Sequence, residues 1–427
     1  MKQIIIHFKD LVNFRNIFFN SFLFVLIFFS GCKDENEIIT VREPGSLISF
    51  ELIDHLNLEQ IDSIRTHTLT SFLETANMKA DDYRELLLKP KNSVKLYRIT
   101  YHSIIPEFDN KPTIATGLIA IPDIDTKEIP LISYQHGTVF YKEMVPSVYN
   151  YSDETKMMVL QFASQGYVMI ASDYFGLGNV SQEKNTYFVK NSTEQACLDM
   201  YRASLDLLAQ LNISAGNFYV NGWSQGAYNT MLFLRRLEKE NIPVKAVFTA
   251  AAPVDPQLFI TRGLFNPRPF DAEYTVAALC NLILGVENYN ELKGISEQYI
   301  KPEYLKVAQE FFAFKTDYPT FISVVPKDPH QAFTEKFFKD AKNADAPFWK
   351  TLANSESYRW FSDTPLMAFY GMRDEAVPNY VATLAVDYMT TIGKTNAQTI
   401  NAGEQADHRN TFIQSLIDGK KWIESLD

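Results

Sequence analysis

The sequence predicts an α/β fold with a mainly parallel central sheet covered on both faces by helices. Short apolar segments with few charges alternate with longer segments in which apolar residues recur at helical spacing. Strands that are apolar on both faces are typical of a parallel sheet, because helices bury both of its faces. With 46% apolar residues, the chain of 427 residues can build a full core.

The predicted elements follow one another in a regular order. Between residues 45 and 90, apolar residues that include Leu52 and Leu56 suggest short helices. The predicted strands are 94–101, 114–121, 130–135, 167–172, 218–222, 244–252, 366–370 and 398–401. The predicted helices between and after them are 153–165, 193–211, 228–240 and 411–426.

The interval 255–360 separates two strands that a single helix would otherwise join. It predicts an inserted helical cap on a body formed by residues 45–254 and 361–427. Helix-like segments lie at 272–284, 302–314 and 332–341. The aromatic residues of the interval either line an apolar pocket or form the core of the cap, and the core is the stronger expectation for any one of them. They include Phe311, Phe312, Phe314, Phe337 and Phe338.

The most informative motif is Gly222-Trp223-Ser224-Gln225-Gly226, which follows a strand-like segment and precedes a helix-like one. A serine at such a corner stands clear of the sheet in a strained conformation, where a base can activate its hydroxyl. The flanking glycines let helix and strand pass close together. The motif therefore predicts that Ser224 is a nucleophile, and we expect the neighbouring Trp223 to contact a bound substrate.

A carboxylate and a histidine follow Ser224 in the order that this chemistry requires. Asp374 comes after the strand 366–370, and His408 lies between the last predicted strand and the terminal helix. The carboxylate can orient the imidazole, which then takes the serine proton. Glu375 and Asp407 are rival acids. Asp374 is favoured by its place at the strand end, but Glu375 remains open.

The developing oxyanion of acyl transfer needs two backbone donors. Gln225, the residue after the nucleophile, supplies one N–H. The other should come from the segment Gln135-His136-Gly137-Thr138, with Thr138 as the expected donor and Gly137 as the alternative. His136 is expected to hold this loop rather than to act as a base.

These motifs resemble those of the α/β-hydrolase family from about Tyr97 to Trp422, and more narrowly those of the secretory-lipase-like esterases. The narrower resemblance rests on Gln135-His136-Gly137-Thr138 and on Ser172-Asp173-Tyr174-Phe175-Gly176-Leu177-Gly178, which looks like the D-Y-x-G-x-G turn of those enzymes. It implies cofactor-free hydrolysis of carboxylic esters through an acyl-enzyme, with Ser224, Asp374 and His408 as the triad. A serine peptidase of the same fold and a non-catalytic surface-binding lipoprotein are the alternatives. The cap departs from the family pattern in length and sequence.

Two residues of the D-Y-x-G-x-G-like turn have separate expected roles. Asp173 should anchor loop backbone through side-chain hydrogen bonds rather than act in catalysis. Tyr174 is predicted to touch substrate.

Residues 1–31 have the pattern of a lipoprotein signal peptide. Basic residues precede an apolar run, 17–29, and Phe29-Ser30-Gly31-Cys32 resembles the site at which bacterial lipoproteins are cleaved and lipidated. Cys32 would then carry the lipid, and residues 32–44 would form a tether. Lys33-Asp34-Glu35 resembles a signal for export to the outer face of the outer membrane. An uncleaved anchor and an ordinary secretory signal are the alternatives.

Composition argues against several partners. A net charge of −11 argues against binding to nucleic acid. No C-x-x-C or H-E-x-x-H spacing occurs in the sequence, so no metal site is predicted. Cys197 and Cys280 lie in apolar segments and are expected to be two separate buried thiols, with one disulfide as the alternative. The oligomeric state is not predicted.

Overall fold

In the computed structural model, which describes residues 43–426, nine strands form one sheet in the order β1-β2-β3-β5-β4-β6-β7-β8-β9. Parallel pairing joins β5, β4, β6, β7, β8 and β9, whereas β1, β2, β3 and β5 pair antiparallel. The predicted mainly parallel sheet is therefore confirmed. The strands are β1 (Leu47–Leu56), β2 (Val94–Ile105), β3 (Lys111–Pro122), β4 (Glu128–Gln135), β5 (Val168–Ser172), β6 (Ser214–Trp223), β7 (Ala246–Ala250), β8 (Leu366–Tyr370) and β9 (Ala397–Asn401). The predicted signal peptide, Cys32 and the tether up to residue 42 lie outside the described residues.

Helices connect the strands and cover the sheet. They are α1 (Leu58–Ser63), α2 (Leu69–Phe72), α3 (Ala80–Arg84), α4 (Asp153–Gln161), α5 (Lys190–Gln210), α6 (Gln225–Lys239), α7 (Pro256–Phe265), α8 (Thr275–Tyr289), α9 (Ile295–Tyr299), α10 (Pro302–Phe312), α11 (Tyr318–Val324), α12 (Pro329–Ala332), α13 (Glu335–Asp340), α14 (Pro347–Asn354), α15 (Asn379–Ala382), α16 (Leu384–Thr391) and α17 (His408–Glu424). A π-helical turn (Ile64–Thr68) joins α1 to α2, and 3-10 turns occupy Pro106–Phe108, Pro146–Tyr151 and Ala163–Gln165.

The two faces of the sheet belong to two separate apolar cores, as β4 illustrates. Ile132 and Tyr134 pack into the core shared with α4 and α17. Leu131 points to the opposite face and packs into the core shared with α5 and α6. Side chains alternate along a strand and both faces are covered, so consecutive residues such as Leu131 and Ile132 are both buried and apolar. This burial explains the runs of apolar residues in the parallel strands.

The first strand corrects the prediction of short helices over residues 45–90. Helices do form after residue 57, but Leu47–Leu56 is an antiparallel edge strand paired with β2. Leu52 is 50% exposed there, and the Phe50 ring packs edge-on against Tyr97 of β2. An edge strand that exposes most of its side chains lacks the apolar pattern that marks the buried strands, so its spacing was ambiguous.

Eight helices, α7–α14, lie between β7 and β8 and form a cap, whose apolar core also includes Tyr228 and Leu232 of α6. Phe311, Phe312 and Phe337 are buried in that core, and Phe338 packs partly buried against it. Phe314 instead packs against the core on the α5 and α6 face. The aromatic residues of this interval thus serve mainly the packing of the cap.

Two local findings complete the fold. Cys197 in α5 and Cys280 in α8 are buried free thiols in different cores, as predicted. Within residues 43–426, no helix has the length and apolar character needed to span a membrane.

Candidate active site

Ser224 occupies the sharp corner between β6 and α6. Its backbone has φ 57° and ψ −125°, a conformation that a residue with a side chain rarely adopts. The Ser224 N–H donates to the Ala250 carbonyl of the neighbouring strand at 2.9 Å, and the Ser224 carbonyl accepts from the Ala227 N–H at 2.9 Å. The strained corner is therefore held by hydrogen bonds on both of its sides.

Close packing explains why glycine stands at both ends of the motif. A Cβ on Gly222 would lie 2.5 Å from the Gly226 carbonyl oxygen. A Cβ on Gly226 would lie 1.9 Å from the Gln135 carbonyl oxygen, at the end of β4. No side chain fits at such distances, so α6 can begin directly against the sheet only with glycine at these positions.

The imidazole of His408 and the carboxylate of Asp374 form a buried pair. His408 Nδ1 lies 2.9 Å from Oδ2 and 3.0 Å from Oδ1 of Asp374. Asp374 is itself fixed, because its Oδ1 accepts from the Ala376 N–H at 2.9 Å and the Val377 N–H at 2.7 Å. His408 is 4% exposed and Asp374 is 1% exposed. The carboxylate can thus hold the imidazole in one orientation with Nε2 left for other contacts.

The two rival carboxylates make different contacts. Glu375 Oε2 accepts from the backbone N–H of His408 at 3.0 Å and does not reach the ring. Asp407 is the N-cap of α17, where its side chain accepts from the Asn410 N–H at 2.9 Å. The geometry therefore favours Asp374 as the acid that pairs with the imidazole.

The carboxylates around His408 also raise its pKa. Burial lowers the pKa of His408, but the charge and hydrogen bond of Asp374, together with the charge of Glu375, outweigh it and raise the net pKa above the ordinary value. The pKa of Glu375 is also raised, in its case mainly by burial. An imidazole with a raised pKa is a stronger proton acceptor.

Ser224 and His408 line the same cavity, of about 470 Å³. Among the described residues, no hydrogen bond joins the Ser224 hydroxyl to the imidazole in this conformation. Trp223 also lines this cavity, stacks on Phe412 with ring centroids 5.0 Å apart, and donates from Nε1 to the His408 carbonyl at 3.1 Å. The indole of Trp223 thereby connects the corner at Ser224 to His408, the first residue of α17.

The two predicted oxyanion donors, Gln225 and Thr138, line this cavity as well. Gln225 is the first residue of α6, where a backbone N–H has no partner within the helix. In the part of the chain that the structure describes, the Thr138 N–H donates to no other group. The Gly137 N–H, the alternative donor, instead donates to Glu154 Oε2 at 2.8 Å. The free amide of the loop is therefore that of Thr138.

His136 and Asp173 hold this loop from behind. The buried His136 ring lies 2.8 Å from the Gly137 carbonyl through Nδ1, and burial lowers its pKa to about 4. Asp173 accepts from the Thr116 hydroxyl at 2.5 Å and the Ser147 N–H at 2.9 Å. Both residues make the structural contacts expected of them.

Tyr174 does not lie where a contact with substrate was predicted. It is 4% exposed and is not among the residues that line the cavity. Its ring stacks on His136 with centroids 4.3 Å apart, and its hydroxyl donates to the His136 carbonyl at 3.1 Å. The side chain therefore turns behind the loop and supports it, away from any substrate in the cavity.

Sequence reasoning missed several groups on the cavity wall. Glu154 of α4 is the most consequential, because it accepts from Gly137 of the predicted oxyanion loop. No motif in the sequence marks it. The cap and the adjoining loops contribute aromatic rings, of which Phe140 stacks on Tyr318 at 5.0 Å. These wall residues include Phe140, Tyr187, Phe188, Phe259, Tyr274 and Tyr318. They are separate along the chain, and only the tertiary structure brings them together.

A second cavity of about 340 Å³ adjoins the first beneath the cap. The two cavities share the wall residues Tyr187, Phe188, Phe259, Tyr274, Ala278 and Ala376. Within residues 43–426, no group of three or more His, Cys, Asp or Glu side chains could hold a metal ion.

The structure is similar to several solved structures of hydrolases. A protein from Legionella pneumophila named as a hydrolase aligns over 88% of this chain and 98% of its own, with a TM-score of 0.77 and 22% identity. The rice cell wall degrading esterase LipA from Xanthomonas oryzae aligns over 89% of this chain and 96% of its own, with a TM-score of 0.73 and 19% identity. Candida antarctica lipase A aligns over 88% and 83%, with a TM-score of 0.59 and 16% identity.

No protein-family model and no curated protein sequence matches the chain. The structural similarity, with the strand order and the corner at Ser224, defines the fold: the chain has the α/β-hydrolase fold.

Proposed function

We propose that this protein is a serine hydrolase that cleaves carboxylic esters through an acyl-enzyme intermediate. The observation that carries the proposal is the buried Asp374–His408 pair, whose imidazole lines the same cavity as Ser224. The proposal is also supported by Gln225 and Thr138, which line this cavity and whose backbone amides donate to no other group within residues 43–426. A nucleophile, a base, an orienting acid and oxyanion donors are the parts that acyl transfer requires.

In the proposed reaction, His408 Nε2 accepts the Ser224 hydroxyl proton as Oγ attacks the ester carbonyl carbon. The carbonyl oxygen becomes an oxyanion that accepts from the Gln225 and Thr138 N–H groups. Asp374 stabilises the imidazolium, which then protonates the departing alcohol as the acyl-enzyme forms. Water, deprotonated by His408, attacks the acyl carbon; the serine recovers its proton, and the carboxylic acid is released.

An ester is favoured over an amide by the structural relatives, since LipA is described as an esterase and the Candida protein as a lipase. The aromatic wall and the adjoining cavity of about 340 Å³ support an apolar acyl group. Turnover of p-nitrophenyl acetate, butyrate, octanoate and palmitate would determine the preferred chain length, and a matched p-nitroanilide would detect amide cleavage.

Ser224→Ala tests the chemistry directly. We expect it to lower kcat on p-nitrophenyl butyrate by roughly 10³-fold or more and to abolish labelling by a fluorophosphonate probe. Retained turnover or labelling would remove Ser224 from the proposal. A folded wild-type protein that neither reacts with the probe nor hydrolyses any of these esters would instead favour a non-catalytic binding role.

We further propose that the protein is attached to the outer membrane through lipidated Cys32 and is exposed at the cell surface. The support is the Phe29-Ser30-Gly31-Cys32 motif and the acidic residues after it, all within the part of the chain that the structure does not describe. In cells fed a labelled fatty acid, the wild-type chain should take up label and Cys32→Ala should not. Equal labelling of both would contradict the attachment.

A further inference from the structure

We infer that Glu154 is a positioning residue of the oxyanion hole: its carboxylate takes up the Gly137 amide and so leaves the Thr138 amide to meet the substrate oxygen. This inference rests on the proposed function. It assigns a role to a carboxylate that lines the cavity beside Ser224 but belongs to none of the recognised motifs.

Glu154 accepts hydrogen bonds both from β4 and from the loop that follows this strand. Its Oε2 accepts from the Tyr134 hydroxyl of β4 at 2.5 Å and from the Gly137 N–H at 2.8 Å. Glu154 stands in the first turn of α4, after the N-cap Ser152, where the helix dipole favours a negative charge. The carboxylate is thus held at the start of a buried helix while it binds the loop.

The fit around Gly137 is tight. A Cβ on this residue would lie 3.2 Å from Glu154 Oε1 and 3.2 Å from the Trp223 ring. Gly137 therefore lies between the Glu154 carboxylate and the indole of Trp223, the residue before Ser224. A loop held on both sides in this way has little freedom to exchange one amide for the next.

Three other polar groups of the loop also have partners. The Gln135 side chain accepts from the Thr230 hydroxyl at 2.9 Å, and the His136 carbonyl accepts from Tyr174. The Thr138 hydroxyl lies 2.9 Å from the Tyr187 hydroxyl. With Gly137 bound to Glu154, the Thr138 amide is the loop donor that remains for an oxyanion.

Hydrogen bonds to a buried carboxylate are stronger than hydrogen bonds between neutral groups. Burial raises the pKa of Glu154, and the bonds from Gly137 and Tyr134 oppose that rise, as expected when a carboxylate is solvated by protein donors. Without the carboxylate, the Gly137 amide would be left unpaired beside the cavity. The loop could then rotate either amide toward the substrate, and a displacement of about 1 Å can lower the rate by about 10².

The test compares Glu154→Ala, Glu154→Met and Glu154→Gln in the full chain with p-nitrophenyl butyrate as substrate. We expect Ala and Met to lower kcat by roughly 30- to 100-fold with KM changed less than about threefold, because the lost bond matters most in the transition state. Gln should retain kcat within about fivefold, since its amide oxygen can still accept from Gly137. Met retains the length of the side chain if Ala does not fold.

Two control variants separate this role from others. Asp153→Asn removes a neighbouring charge of the same helix turn that pairs with Lys156, and its effect on kcat should be at least tenfold smaller than that of Glu154→Ala. Tyr134→Phe removes the other donor but leaves the Gly137 bond, so it should change kcat by less than about threefold. Hydrogen exchange of the peptide 134–139 should become faster in Glu154→Ala and Glu154→Met and remain slow in Glu154→Gln.

The outcomes distinguish the inference from the proposed function. A kcat within twofold of wild type in both Ala and Met, or a raised KM with unchanged kcat, would overturn the positioning role. If wild type hydrolyses no ester, the proposed function fails, yet hydrogen exchange still reports whether Glu154 holds the loop. Unchanged exchange in that case would overturn the inference too.

Discussion

The two loops proposed to serve Ser224 differ in whether the cap helps to hold them. The proposed oxyanion loop, residues 135–138, is bound from within the body, by Glu154 of α4, Thr230 of α6 and Tyr174. The acid loop, residues 371–378, is bound by the cap in addition to the body, where the Ala406 carbonyl accepts from the Arg373 N–H at 2.9 Å. Arg268 Nη2 donates to the Asp374 carbonyl at 2.8 Å, and the Ala272 N–H donates to the Glu375 carbonyl at 3.0 Å.

The cap segment that makes these contacts is itself braced. Asp271 accepts from Arg268 Nε at 2.8 Å and also pairs with Arg262 of α7. Arg373 of the acid loop lies over the Phe270 ring, 4.8 Å from its centre. The cap is therefore linked to the backbone of Asp374 and Glu375, whereas the proposed oxyanion donors are held mainly by the body. We expect displacement of the cap to disturb the acid side first.

The largest effect should come from the acid side itself. Asp374→Asn should lower kcat by roughly 10³- to 10⁴-fold, because an amide neither orients the imidazole in the required tautomer nor stabilises the imidazolium. Steady-state kinetics on p-nitrophenyl butyrate measures this. A loss under tenfold would show that another carboxylate, Glu375 first, can take its place.

Gly226→Ala should displace the proposed oxyanion loop by a change within the body. The added Cβ would lie 1.9 Å from the Gln135 carbonyl oxygen, so α6 and the loop must separate. We expect a destabilisation of about 1–3 kcal/mol in urea unfolding and a roughly 10²-fold fall in kcat. The matched control is Gly263→Ala in α7, where a Cβ meets no atom within 4 Å and both quantities should stay near those of wild type. Equal effects of the two variants would refute the packing argument.

Arg268→Ala tests whether the cap controls the acid side alone. We expect kcat to fall roughly tenfold through a loosened Asp374 backbone. Hydrogen exchange should increase in the peptide 371–378 and stay unchanged in 134–139. Arg268→Lys should restore part of the activity, because an ammonium can reach the carbonyl but not bind Asp271 in the same way. Equal loosening of both peptides would contradict the difference between the loops.

The smallest effect is expected from Glu375→Gln. Activity requires a neutral imidazole, so kcat/KM should rise as the pH increases through the pKa of His408. The charge of Glu375 is one of the contributions that raise this pKa, so its removal should move the rise to lower pH. We expect kcat at the plateau to fall only about threefold, as a backbone contact is weakened. A pH profile that does not move, or moves upward, would contradict this electrostatic role.

The sequence by itself determined the parallel half of the sheet, the corner at Ser224 and the chain order of the acid and histidine. These features are local: buried strands must be apolar on both faces, and glycine must stand where α6 meets the sheet. The prediction from local spacing was wrong for β1, because an exposed edge strand lacks the pattern of a buried strand. It was also wrong for Tyr174, whose ring packs against His136 of the loop instead of lining the cavity.

Only the tertiary structure decided which of two adjacent carboxylates meets the imidazole and which of two adjacent amides stays free. Asp374 and Glu375 differ by one position, and so do Gly137 and Thr138, yet their partners come from α17, α4 and the cap. The binding of Asp374 by Arg268 is likewise a contact between distant segments. The physical reason is that such choices depend on directions and distances of a few ångströms between elements far apart in the chain, which spacing along the chain does not encode.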